Sequence, residues 1–220
     1  MGAIQTCQER MASPMKRHIS GTAGSGILPD LEYSALLLVD LQKAFIEPGH
    51  GTSVRGPLSV LMRSLLLAAA FRAAGHQVFA TRHVHRIPPP PGGMGSWWGS
   101  FLTADDPSSE LVAPVLCLPD VRLVEKHHYS AFRETGLEKA LRDIGVRTVV
   151  ICGVMTHICV DTTARDAFQS GFDVVVVRDA CSSSRPSLHR SSLACISHAV
   201  ARVPSTNDLL SSVGLRRADG

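Results

Sequence analysis

Three uninterrupted apolar runs constrain this chain more than any other feature: Ala35-Leu36-Leu37-Leu38-Val39, Val149-Val150-Ile151-Cys152 and Val174-Val175-Val176-Val177. A strand with one wet face alternates apolar and polar residues. A continuous apolar run of this length is instead buried on both faces, as in parallel sheets covered by helices. Helical stretches separate the runs. Pro57 to Ala74 is rich in Leu and Ala and stops at Gly75, and Thr135 to Ile144 stops at Gly145. Cys159 to Ser170, Ser187 to Ala201 and Ser205 to Val213 read the same way. Further strands are expected over Gln77 to Thr81, Val121 to Val124 and at Arg202-Val203. The fold class is therefore α/β, a mostly parallel six-stranded sheet with helices on both faces.

The chain has 220 residues, 45% of them hydrophobic, which suits one domain with a full core, spanning residues 31–220. A net charge of +3 with scattered basic residues predicts neither a nucleic-acid nor a membrane partner. No apolar run approaches the ~20 residues of a membrane span. Six cysteines are irregularly spaced with no Cys-x-x-Cys pair, which points to a reducing, cytoplasmic setting. Residues 1–30 are polar and basic without an apolar stretch, and read as a disordered leader. Arg82 to Pro107 forms a long loop with four consecutive prolines and both tryptophans, Trp97 and Trp98.

Chemistry is expected where the strands end. In sheets of this kind, ligands sit beyond the carboxyl ends of the strands. Asp40 follows the first apolar run, Lys126 ends a short strand, and Cys159 follows a strand, a glycine and a turn. Cys159 falls in the first turn of a helix, where backbone N–H groups and the helix dipole favour a thiolate. The three form an acid–base–nucleophile set: Asp40 to take the thiol proton, Lys126 to support both charges, and turn N–H groups to bind an oxyanion. Each residue also has an ordinary reading, as a cap, a surface lysine or a buried small side chain.

Four motifs then occur in order. They are Leu38-Val39-Asp40-Leu41-Gln42-Lys43-Ala44-Phe45, Glu125-Lys126-His127-His128-Tyr129-Ser130-Ala131-Phe132, Cys152-Gly153-Val154-Met155-Thr156-His157-Ile158-Cys159-Val160-Asp161 and Val177-Arg178-Asp179-Ala180-Cys181. Over about residues 34–205 the chain resembles the isochorismatase-like cysteine hydrolases. The resemblance implies a Rossmann-like sheet and the triad Asp40, Lys126 and Cys159. It also implies a cis peptide between Val154 and Met155, with the N–H groups of Met155 and Cys159 forming the oxyanion hole. The implied reaction is hydrolysis of a small-molecule amide or ureido C–N bond through a thioester, without a cofactor, in a homodimer or homotetramer. Phe45, Trp97, Trp98, Tyr129, Phe132 and Thr156 are the expected substrate-binding residues, and Arg82, Arg86 and Arg133 would set the pocket charge.

Two departures bear on the chemistry. Nicotinamidases carry Asp-x-His where this chain has His83-Val84-His85, and no third ligand is apparent, so no metal is expected. Isochorismatases usually carry glycine where Cys159 stands, which disfavours their vinyl-ether chemistry here. That chemistry, and a catalytically silent binding or assembly role, remain the alternatives.

Overall fold

The computed structural model describes residues 28–50, 52–88, 93–98 and 102–214. The leader expected over residues 1–30 thus lies almost wholly outside the described residues. Five parallel strands form one sheet: β1 (Ser34–Val39), β2 (Val78–His83), β3 (Arg122–Lys126), β4 (Thr148–Val154) and β5 (Asp173–Ser182). Their order is β3-β2-β1-β4-β5. Every residue of β1 and β4 is buried, as their unbroken apolar runs require of central strands. Strand β3 lies at the edge and exposes Arg122, Leu123 and Glu125.

The helices are α1 (Lys43–Ile46), α2 (Pro57–Ala73), α3 (Met94–Trp98), α4 (Ala113–Leu116), α5 (Leu137–Asp143), α6 (Asp161–Gln169), α7 (Pro186–Ala199) and α8 (Thr206–Gly214). Helix α2 carries the chain from β1 to β2 and α6 carries it from β4 to β5, in opposite directions across the sheet. Right-handed crossovers then place them on opposite faces. Leu67, Ala68 and Phe71 of α2 are fully buried against the core, as are Ala164 and Ala167 of α6.

The expected sixth strand is absent from the sheet and survives as a single parallel bridge between Val175 and Arg202. Arg202 N–H donates to Val174 C=O at 2.9 Å, and Val176 N–H donates to Arg202 C=O at 2.8 Å. The next rung would need the N–H of residue 204. That residue is Pro204, which has none, so no second bridge forms, although Arg178 N–H still donates to the Pro204 carbonyl at 3.0 Å. Strand β5 runs further than its apolar stretch. The pairing shifts between Ile151↔Val176 and Gly153↔Cys181, so Arg178, Asp179 and Ala180 bulge and pairing resumes beyond them.

The order 3-2-1-4-5 reverses direction between β1 and β4, and such a switch point opens a crevice beyond the strand ends. Gly153 lets β4 approach β1 there. Its φ is +118°, and a Cβ would lie 2.2 Å from the Val39 carbonyl oxygen.

Candidate active site

Asp40 stands immediately after β1 and Cys159 follows β4, so both flank the switch point. Lys126, the last residue of β3, reaches in from the edge of the sheet. The structure brings the three together. Lys126 Nζ lies 2.7 Å from Asp40 Oδ2 and 3.4 Å from Cys159 Sγ, and also donates to the His128 carbonyl at 3.2 Å. Asp40 and Lys126 have no solvent exposure, and Cys159 is buried.

The carboxylate is held by a residue that the sequence did not single out. Thr81 of β2 donates its hydroxyl to Asp40 Oδ1 at 2.6 Å and accepts from the Asp40 N–H at 3.0 Å. Both polar capacities of that hydroxyl serve one residue, leaving Oδ2 turned toward Lys126 and Cys159. Asp40 itself has a φ of +50°, a left-handed backbone that Asp tolerates better than most residues and that clusters at functional sites. Gln42, fully buried two residues on, donates to the carbonyls of His83 and Ser109 and accepts from the His83 N–H. It ties the end of β1 to β2.

Burial and the helix start act on the Cys159 thiol in opposite senses. Burial pushes the thiol up to about 12, with Lys126 only partly offsetting this and Asp40 adding to it. The physical reason is that a dry site beside a carboxylate disfavours a second negative charge. Burial also works against the charge on Lys126, yet Asp40 and Cys159 outweigh it and hold the ammonium above its ordinary range.

Cys159 sits in a one-turn π-helix, Thr156–Val160, that leads into α6. Val160 N–H reaches five residues back to the Met155 carbonyl at 3.2 Å. The peptide between Val154 and Met155 is cis. Met155 and Cys159 thus both belong to the turn that joins β4 to α6.

The expected wall residues separate. Phe45 in α1 and Tyr129 after β3 are half-buried beyond the strand ends. Trp98 donates its indole N–H to the Tyr129 hydroxyl at 2.7 Å, whereas Trp97 is 78% exposed. Phe132 packs 5.8 Å from Phe172, which precedes β5 at the opposite end of the sheet, so its ring joins the core. Thr156 has no exposure and its hydroxyl is bonded to His189. Arg82 is engaged by Ser109, Ala104 and Glu125, and Arg86 by Glu134, while Arg133 is exposed.

His83 is buried at the end of β2 with His85 packed edge-on at 4.7 Å. Burial, and then Lys126, lower its pKa to about 3, so its imidazole is neutral. Among the described residues, no group of three or more His, Cys, Asp or Glu side chains is arranged to hold a metal ion.

The isochorismatase domain family matches residues 34–208, which include all three site residues. The chain belongs to the isochorismatase family. It is 36% identical over 169 residues to nicotinamidase 3 of Arabidopsis thaliana, covering 75% of this chain and 81% of that one. It is 29% identical over 222 residues to the ureidoacrylate amidohydrolase of Methylobacterium radiotolerans, covering 82% of each. Among solved structures, a cysteine hydrolase from Pseudomonas syringae pv. phaseolicola superposes with a TM-score of 0.81 at 26% identity, covering 89% of this chain and 98% of that one. The chain is a hydrolase of this family, with the expected α/β fold and one strand fewer than its sequence suggests.

Proposed function

We propose that this hydrolase cleaves a C–N bond in a small amide or ureido compound, with Cys159 as nucleophile, Asp40 as acid–base group and Lys126 as electrostatic support. The observation that carries this reading is the buried contact of the Cys159 thiol with the Asp40–Lys126 ion pair. The named activities of the two relatives, on an amide and on a ureido compound, support the substrate class.

Because the thiol rests protonated, its proton leaves as attack occurs. Sγ bonds to the substrate carbonyl carbon while its proton passes to Asp40 Oδ2. The carbonyl π electrons move to oxygen, where the N–H groups of Met155 and Cys159 receive the oxyanion. Collapse breaks the C–N bond, and Asp40 returns the proton to the departing nitrogen as ammonia or an amine. Water then attacks the thioester and gives a proton to Asp40. Collapse breaks the C–S bond, the acid departs, and Asp40 returns the proton to Sγ. Lys126 offsets negative charge on whichever of Asp40 and Sγ carries it. No cofactor enters the sequence. The exposed apolar stripe Leu58, Met62 and Leu66 on α2 fits burial in a homodimer or homotetramer.

Ammonia release from nicotinamide and from ureidoacrylate tests the reading. At least one should be hydrolysed by the native chain, and Cys159→Ala should lose at least ~10³-fold, on the order seen when a nucleophile is removed. Hydrolysis that survives Cys159→Ala would contradict it and favour chemistry independent of the thiol.

A further inference from the structure

Helix α7 carries two polar residues on its inward face, His189 and Ser192, one turn apart, above the fully buried Ile196. An inward face over a core is ordinarily apolar. Ser192 is 6% exposed and His189 is half-buried, so both have left water without belonging to the triad. Their partners explain them. His189 Nδ1 shares a hydrogen bond with the Thr156 hydroxyl at 2.8 Å. Ser192 Oγ lies 3.1 Å from the Thr156 carbonyl oxygen and 3.0 Å from Asp161 Oδ2. Asp161 Oδ1 in turn receives Arg165 Nε at 2.5 Å.

Thr156 and Asp161 bound the turn that contains Cys159, three residues before it and two after. A π turn leaves backbone groups displaced from the regular helical ladder, and outside partners fix where they lie. Here those partners come from a helix more than 25 residues further along the chain, so the position of the nucleophile depends on how α7 docks.

We propose that His189 and Ser192 are positioning residues: α7 clamps both ends of the nucleophile turn and sets Cys159 Sγ, with the N–H groups of Met155 and Cys159, against the reacting carbonyl. The proposal rests on the cysteine-hydrolase reading above. Neither side chain needs to touch substrate. A displacement of about 1 Å at a reacting centre costs on the order of 10²-fold in rate, so a clamp of this kind acts on the bond-forming step and not on binding.

The test uses the full chain and p-nitrophenyl acetate, an acyl donor that reports thiol acylation by release of p-nitrophenolate. His189→Ala and Ser192→Ala should each lower the acylation rate constant about tenfold, and the pair on the order of 10²-fold, with the half-saturating concentration unchanged within about twofold. His189→Asn places an amide atom near the position of Nδ1 and should recover most of the rate. A lost rate with no recovery in His189→Asn, or one matched by an equal rise in half-saturation, would overturn the clamp, as would folded variants that acylate within twofold of the native chain. If the double variant fails to fold, the two single variants decide by the same criteria. Failure of the underlying reading looks different: the native chain itself gives no acylation, or Cys159→Ala acylates as well as the native chain.

Discussion

The Cys159 thiol illustrates how burial and charge compete at one residue. A helix start and a neighbouring lysine favour a thiolate, but complete desolvation beside Asp40 pushes the group up to about 12. Cys152, inside β4, is likewise pushed up to about 12 by burial. At the other extreme, burial lowers His83 to about 3. These shifts bound the pH range of the fold. Unfolded thiols ionise near 9, so above that pH the unfolded chain sheds protons that the native chain keeps, and stability falls as pH rises toward 12. Below 6.5, the unfolded chain gains a proton at His83 that the native chain refuses, and stability falls as pH drops toward 3. Thermal midpoints should therefore be highest between about pH 6.5 and 9 and lower at pH 5 and 10.5, with the acid limb flattened in His83→Asn. A midpoint that holds constant from pH 7.5 to 10.5 would show that the thiols are not held protonated.

At the scale of elements, the β1–β4 contact is the joint on which the site depends. Val39 pairs with Gly153, and Asp40 follows Val39 directly. Gly153→Ala would add a Cβ 2.2 Å from the Val39 carbonyl oxygen and 2.7 Å from its nitrogen, in a backbone of φ +118° that L side chains rarely adopt. Both objections are to backbone atoms, so no side chain can yield. The expected outcome is a loss of several kcal/mol, read as a fall in the urea midpoint or as insoluble protein. A soluble variant with the native midpoint would contradict this packing. The strands at this joint were legible because their apolar runs are unbroken. So was the helix over Pro57 to Ala73, with proline at its start and glycine past its end. The continuation of β5 was not legible, since Arg178 and Asp179 interrupt the apolar run. They do so because Asp179 leaves the sheet to pair with Arg63 and to accept from Thr206. The sixth strand is held to one bridge because Pro204 lacks the N–H that the next rung needs. Thr81, Gln42, His189 and Ser192 were invisible for a common reason. Each is an ordinary polar residue whose role depends on a partner more than 30 residues away. The meeting of Asp40, Lys126 and Cys159 was legible because strand ends, motif order and family resemblance all marked the same three positions.

Over the whole molecule, topology gathers the strand ends into one candidate site. The reversal of strand order between β1 and β4 opens a crevice, β3 sends Lys126 across from the edge, and α7 hydrogen-bonds to the turn that carries Cys159. Among the described residues, no helix is long and apolar enough to cross a membrane. If Cys159 is the nucleophile, as proposed, it becomes covalently acylated during turnover. Acid quenching of the native chain within milliseconds of mixing with a hydrolysed amide, followed by peptide mass spectrometry, tests it most directly. The acyl group is expected on the peptide carrying Cys159 and on none of those carrying Cys152, Cys181 or the exposed Cys117 and Cys195. Turnover that leaves Cys159 unmodified at every quench time, with Cys159→Ala still active, would contradict it.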